Sequence, residues 1–242
     1  MRALGTTELL SVWERGMNLG SLARAELLLR AASENDPDPA QLSLGERDAR
    51  LLSLREWAFG PEMTATSRCP RCQTVMEMTF ETKDLRVPAG EPHAEQSFSA
   101  GGYQIRFRLP NCGDVAMAAA GDPSASSLRR KLVERCVSRI EREGEHIASG
   151  SLPEAVMESL SVRMSELDPQ AEIELDLSCQ ACGERWKELF DVEPFFWTEI
   201  QAWAGRLLLD VHHLAASYGW SESAILSMSP LRRSLYLNMI TG

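Results

Sequence analysis

Apolar positions in the first sixty residues recur at helical spacing. TTELLSVWERG (6–16) offers Thr6 or Thr7 as an N-cap and ends on a glycine, and SLARAELLLRAA (21–32) continues with leucines three and four apart. SENDPDPAQ (33–41), with two prolines and three acids, reads as a linker. SLGERDARLLSLREWAFGP (43–61) opens with Ser43 and Glu46 in capping-box spacing, runs through Leu51, Leu52, Leu54 and Trp57, and stops at Gly60 and Pro61.

Beyond residue 74 the period changes to two. Met76, Met78 and Phe80 alternate with Glu77, Thr79 and Glu81, which predicts a strand. YQIRFRL (103–109) sets Tyr103, Ile105, Phe107 and Leu109 against Gln104, Arg106 and Arg108, and EIELDL (172–177) sets Ile173, Leu175 and Leu177 against Glu172, Glu174 and Asp176. One polar face is cationic and the other anionic, so the pattern predicts that these two strands share a sheet, with Arg106 and Arg108 near Glu172, Glu174 or Asp176. Helical spacing covers 113–120, then 123–143 started by Asp122 and Pro123 and stopped by Gly144, then 152–167. In the tail a long helix begins near Pro194 and carries Ile200, Trp203, Ala204, Leu207, Leu208, Val211, Leu214, Ala215 and Tyr218 to a stop at Gly219. Ser221 and Ser229-Pro230 start two shorter helices. The expected fold is α+β and mainly helical, with a small antiparallel sheet. Its segments are a helical 1–60, a body over 61–192 with an insertion at about 84–171, and a helical 193–242.

Two CxxC pairs, Cys69/Cys72 in SRCPRCQTV and Cys179/Cys182 in SCQACGERW, lie beside predicted strands with 106 residues between them. Each pair alone would half-coordinate a metal. Brought together they form a split four-cysteine ribbon holding one structural Zn2+, with Gly183 where the second knuckle must turn. Four thiolates around a divalent ion leave a local charge of about −2, which Arg68, Arg71, Arg185 and Lys187 would offset. A redox CxxC needs a helix N-terminus to lower a thiol pKa, and neither pair precedes a helical pattern. Cys112 and Cys136 read as unligated, the latter continuing the stripe Leu128, Leu132, Cys136, Ile140.

A net charge of −10 disfavours nucleic acid and anionic lipid as partners. The most apolar long segment, 195–218, is broken by Glu199, Arg206, Asp210 and two histidines, so no membrane insertion is expected. The N-terminus carries Glu8 where a leader would be apolar, which with the CxxC spacing points to the reducing cytoplasm. No nucleophile elbow, phosphate loop, dinucleotide fingerprint or metalloprotease helix is found, so no enzyme is expected. Of the four histidines, the adjacent His212 and His213 point about 100 degrees apart on a helix and do not chelate together. The basic face of 128–143 is interleaved with Glu134, Glu141 and Glu143 and reads as solvated.

The stretch from Asp191 to Ile240 is similar to the C-terminal segment of a baseplate-associated family of contractile injection systems, related to the hub and hub-assembly chaperone proteins of T-even phages. The similarity lies in Phe196-Trp197 and Glu199, in Tyr218-Gly219-Trp220-Ser221-Glu222, and in Arg232-Arg233 with Tyr236. ERDARLLSLREWAFGPEM and FRLPNCGDVAMAAAG resemble the same family in its zinc-ribbon version. The resemblance implies a non-enzymatic baseplate component or assembly factor whose partners are baseplate, hub or spike proteins. It makes Trp220, Arg232, Arg233 and Tyr236 candidate partner contacts, whereas composition alone allows the tail to fold back on its own body. The other classes left open are a zinc-ribbon module that binds nucleic acid or regulates, and a thiol oxidoreductase.

Overall fold

The computed structural model describes residues 1–34, 37–87, 95–119, 125–148 and 152–241. Helix α1 (Thr6–Gly16) is opened by Gly5 and not by a threonine: the Glu8 carboxylate accepts the Gly5 N–H at 2.9 Å and is itself held by Arg2. Helix α2 (Ser21–Ala32) buries Ala25, Leu28, Leu29 and Ala32. Among its described residues the expected linker carries a 3-10 turn, Pro39–Gln41. Helix α3 (Leu44–Phe59) carries the expected capping box, with Ser43 and Glu46 exchanging hydrogen bonds at 3.1 Å, and ends at Gly60 with φ 88°.

Strands β1 (Glu62–Arg68) and β2 (Val75–Glu81) form a hairpin, and one helical turn, α4 (Thr82–Leu85), leads out of it. The insertion then contributes β3 (Gln96–Ala100), β4 (Tyr103–Phe107), α5 (Cys112–Ala119), α6 (Ala125–Cys136), β5 (Val137–Arg142), β6 (Glu145–His146) and α7 (Glu154–Leu167). After a 3-10 turn, Pro169–Ala171, the chain makes a second hairpin, β7 (Ile173–Ser178) and β8 (Arg185–Phe190), then α8 (Val192–Tyr218), α9 (Glu222–Leu226) and α10 (Pro230–Thr241). The architecture is α+β and mainly helical. Among the described residues its strands form three small antiparallel sheets: β1-β2, β3-β4-β5-β6 and β7-β8.

Two sequence expectations are corrected. Strands β4 and β7 do not share a sheet. Arg106 faces Arg139 across the ladder and approaches Glu95 at 3.9 Å, Arg108 pairs with Asp114 at 2.5 Å, and Glu174 pairs with Lys187 at 2.6 Å. Register follows the buried face and the hairpin turns, while exposed charges contribute too little to choose a partner strand. The helix predicted over 123–143 ends at Cys136, and 137–142 is a strand. Gly144, read as a helix stop, sits with Glu143 in a two-residue turn, both at positive φ (85° and 54°), the geometry that joins hairpin strands of this twist. Ile140 fits the helical stripe by spacing, yet it pairs across the sheet with Ile105, both 1% exposed. The proposed start at Asp122 and Pro123 lies outside the described residues.

Three apolar clusters organise the molecule. The first joins α1, α2, α3, the bases of both hairpins and the first turns of α8. There, Gly16 is required by close approach, since a Cβ would come within 2.1 Å of the Trp197 ring. Arg55, almost fully buried, donates to Glu199 at 2.8 and 2.6 Å and to the Gly60 carbonyl at 2.7 Å, which locks α3 to α8. Removing one partner of such a buried pair costs about 3–5 kcal/mol. The second cluster lies inside the insertion, between its sheet and α6 and α7. The third packs the outer half of α8 against α1, α9 and α10.

The insertion is fastened at its neck. Asp168 is buried and accepts the Ser43 hydroxyl at 3.0 Å and the Gly45 N–H at 2.9 Å, so the end of α7 caps the start of α3. Gln170, also buried, donates to the Leu85 carbonyl at 3.0 Å and accepts the Val87 N–H at 2.7 Å. We expect Asp168→Ala to destabilise the protein by about 1–3 kcal/mol in denaturant titrations, because it strips a cap and leaves buried donors unpaired.

Glu193, in the first turn of α8, is 1% exposed, and neither of its oxygens has a hydrogen-bond partner of good geometry among the described residues. Burial raises its pKa; the neighbouring Ser21 hydroxyl and the Arg24 and Arg47 guanidinium groups oppose this without cancelling it. A folded-state value above the unfolded one, about 4.3, means the neutral carboxyl stabilises fully below that pH, and the benefit is lost as pH rises through the folded value. The thermal midpoint of Glu193→Gln should therefore gain on the wild type between pH 4 and pH 7.5.

Candidate metal centre

The two hairpins end in the same turn. In the first, the Cys69 N–H donates to the Thr74 carbonyl at 3.0 Å and the Gln73 N–H to the Cys69 carbonyl at 3.0 Å. In the second, the Cys179 N–H donates to the Glu184 carbonyl at 2.8 Å and the Gly183 N–H to the Cys179 carbonyl at 2.9 Å. The fifth residue of each turn is left-handed, Gln73 at φ 62° and Gly183 at φ 74°. Glycine takes that conformation freely. Gln73 takes it with its side chain tied to the Pro70 carbonyl at 3.1 Å and its own carbonyl accepting from Arg68 at 3.0 Å. The turn aims the first and fourth residues, both cysteines, off the same end of each hairpin.

The knuckles meet tip to tip. Cys69 Sγ lies 3.7 Å from Cys182 Sγ, and Cys72 Sγ lies 3.5 Å from Cys179 Sγ. All four sulfurs fall within 4.8 Å of one another. A tetrahedron with metal–sulfur bonds of about 2.3 Å has edges of about 3.8 Å, so the four donors are spaced to surround one ion. They are too far apart for a disulfide, whose S–S bond is about 2.05 Å, and all are free thiols. Cys69 and Cys179 are buried, Cys182 is half-buried and Cys72 is exposed.

Electrostatics favour a cation here. The Thr74 hydroxyl and N–H draw Cys72 down to about 6. The Glu184 amide favours a thiolate at Cys182, but burial and the other three sulfurs push it up to about 12. Four thiols this close cannot all ionise without a positive charge among them, and a bound divalent ion supplies it. Around the tips Arg71 reaches Glu184 at 3.6 Å across the two knuckles, while Lys187 is engaged by Glu174. These four cysteines could therefore hold a metal ion.

The hairpins are also joined along their length, by contacts the sequence does not announce. The Ser67 hydroxyl makes a short hydrogen bond to the Glu188 carboxylate, which also accepts the Trp186 indole N–H at 3.2 Å. Nearer the base, Phe80 meets Phe190 edge-on at 5.7 Å, and Phe190 lies 5.2 Å from Phe195 on α8. The remaining cysteines stay apart: Cys136 is buried and pushed up to about 12 by burial, and Cys112 lies 3.7 Å from an Arg47 nitrogen. His212 and His213 are both exposed on α8, and His93 lies outside the described residues.

The structure turns much of the tail inward. Trp220 stacks on Tyr218 at 4.5 Å and meets Tyr236 edge-on at 4.8 Å, Arg232 lies over Tyr236 at 5.7 Å, and Arg233 is 4% exposed. Leu226 is buried, whereas Leu231, Leu235 and Met239 remain on the outer surface of α10.

Comparison with known families places this architecture. The chain matches the family described as T4 bacteriophage base plate protein over residues 23–197. It belongs to that family. The matched part contains α3, both knuckles, the insertion and the opening of α8, and the tail beyond Trp197 extends past it. No curated protein and no solved structure matches the chain significantly. No helix among the described residues is long and apolar enough to cross a membrane.

Gly183→Ala should cost about 1–2 kcal/mol, because the second knuckle needs a left-handed residue there. Gln73→Gly should be neutral or stabilising by up to about 1 kcal/mol. Denaturant midpoints of the two variants should move in opposite directions or differ by at least the glycine penalty; equal losses would contradict the paired-turn account.

Proposed function

We propose that this chain is a non-enzymatic baseplate component or assembly factor of a contractile, phage-tail-like injection particle, acting in the cytoplasm of the producing cell. Its two hairpins are stapled by one structural Zn2+ held by Cys69, Cys72, Cys179 and Cys182. The observation that carries the reading is a closed four-thiol cluster built by a chain of the base plate family. A four-sulfur site has no open position for water or substrate, so its chemistry is to fasten rather than to react. All-sulfur tetrahedral donors suit zinc better than the oxygen-seeking ions.

The zinc-ribbon version of the hub and hub-assembly chaperone proteins is the finer assignment, supported by the resemblance of 46–63 and 107–121 together with the tail. Its partners on this reading are hub, spike or other baseplate proteins. The net charge of −10 argues against a nucleic-acid partner.

Two measurements test this. Protein purified without added metal should contain one zinc per chain, and Cys179→Ser should lose it together with much of the folded state, since binding energy at a structural site is folding energy. In the producing strain, deleting the gene should abolish complete contractile particles, and a wild-type copy should restore them. A metal-free, fully folded protein would refute the staple, and normal particle yield without the gene would refute the baseplate role.

A further inference from the structure

Along the tail, α8 and α10 leave a groove of about 530 Å³ between them. Its apolar surface comes from Trp203, Leu207, Leu209 and Leu237, and its polar rim includes Arg206, His213 and Asn238 with, among the described residues, a single carboxylate, Asp210. Arg233 also lines it. That guanidinium is 4% exposed; one nitrogen donates to the Met228 carbonyl at 2.8 Å, and Nε has no acceptor among the described residues. A buried donor left unpaired is costly, and most native structures avoid it. Side-on pairing with a carboxylate would supply the missing acceptor, because the arginine fork matches a carboxylate bidentately.

The surroundings extend this site. Leu209 is 59% exposed, and on α10 Leu231, Leu235 and Met239 are 72, 52 and 70% exposed at i, i+4, i+8 spacing. Ser234 and Asn238 on the groove side of α10 each precede one of these residues by one position, so the apolar stripe begins where the groove wall ends. In a chain of net charge −10, this groove presents Arg206, Arg233 and an ionisable imidazole against one acid. Its complement is therefore negative and apolar together. A nucleic acid would match the charge but not the leucine stripe, and a second copy of this face would set arginine against arginine.

We infer that the groove between α8 and α10 is the docking site for an acidic amphipathic segment of another baseplate protein, with one of its carboxylates seated on Arg233 and its apolar face on Leu209 and the α10 stripe. This rests on the baseplate reading above and names the surface and partner chemistry it leaves open. Seating the carboxylate gives binding its salt dependence, and the stripe supplies the buried area.

The test uses the full-length, zinc-loaded protein and the purified baseplate proteins of the same particle. Affinity is measured by calorimetry at low and high salt. Arg206→Glu and Leu209→Asp alter exposed side chains and should stay folded by circular dichroism while weakening binding at least about tenfold. Arg233→Lys should weaken it as well, since lysine lacks the fork. A photo-cross-linking residue at position 209 should attach to a segment rich in Asp or Glu and apolar residues. Unchanged affinity in the folded Arg206 and Leu209 variants would overturn the groove while leaving the baseplate role intact, as would cross-linking to a second copy or to a basic segment. Failure to bind any baseplate protein would overturn both.

Discussion

Convergence of the two knuckles is the constraint that organises this molecule. Four sulfurs on turns separated by 106 residues must reach within 4.8 Å of one another, which fixes the distance and mutual rotation of the hairpins β1-β2 and β7-β8. Everything near the hairpin bases follows from that placement. Phe80 meets Phe190, Phe190 meets Phe195 on α8, Ser67 reaches Glu188, and Arg55 closes on Glu199 between α3 and α8. Four clustered thiols that could hold a metal ion mark the tips of the hairpins, and an ion pair locks together the two helices that pack at their bases.

The division of labour between charges is instructive. Polar contacts with one buried partner sit where elements must be locked in one orientation: buried Arg55 on Glu199, buried Asp114 on Arg108 and Arg135, and buried Asp168 at the start of α3. Exposed pairs such as Arg163 with Glu166 decorate helices and contribute little. Glu193 departs from this pattern, a buried carboxyl whose oxygens have no hydrogen-bond partner of good geometry among the described residues.

Much of this was legible in the chain. The helices over 6–16, 21–32, 44–59 and 192–218 follow from apolar period and caps, and the coincidence of the four cysteines follows from two identical spacings beside strand-like runs. The failures have physical causes. Residues 137–142 obey a helical stripe as well as a strand period, and only the positive φ at both Glu143 and Gly144 distinguishes a hairpin from a helix stop. The sheet partner of β4 could not be read from Arg106 and Arg108, since exposed charges label a face without selecting a neighbour. Arg55, Asp168 and Gln170 gave no local signal, because each matters through a contact more than eighty residues away.

Gln170 has a consequence of its own. By bonding the Leu85 carbonyl and the Val87 N–H, one side chain ties together the outgoing and returning strands of a segment more than eighty residues long. The ends of that excursion are thus already adjacent, and lengthening or shortening the polymer between them changes the closure entropy only logarithmically, by about 0.6 kcal/mol per doubling. On that entropic count the two hairpins are little affected by the length of what lies between them. The length of that excursion is therefore free to vary only beyond its neck, since Asp168 must stay to cap α3 and Gln170 to hold Leu85 and Val87 together.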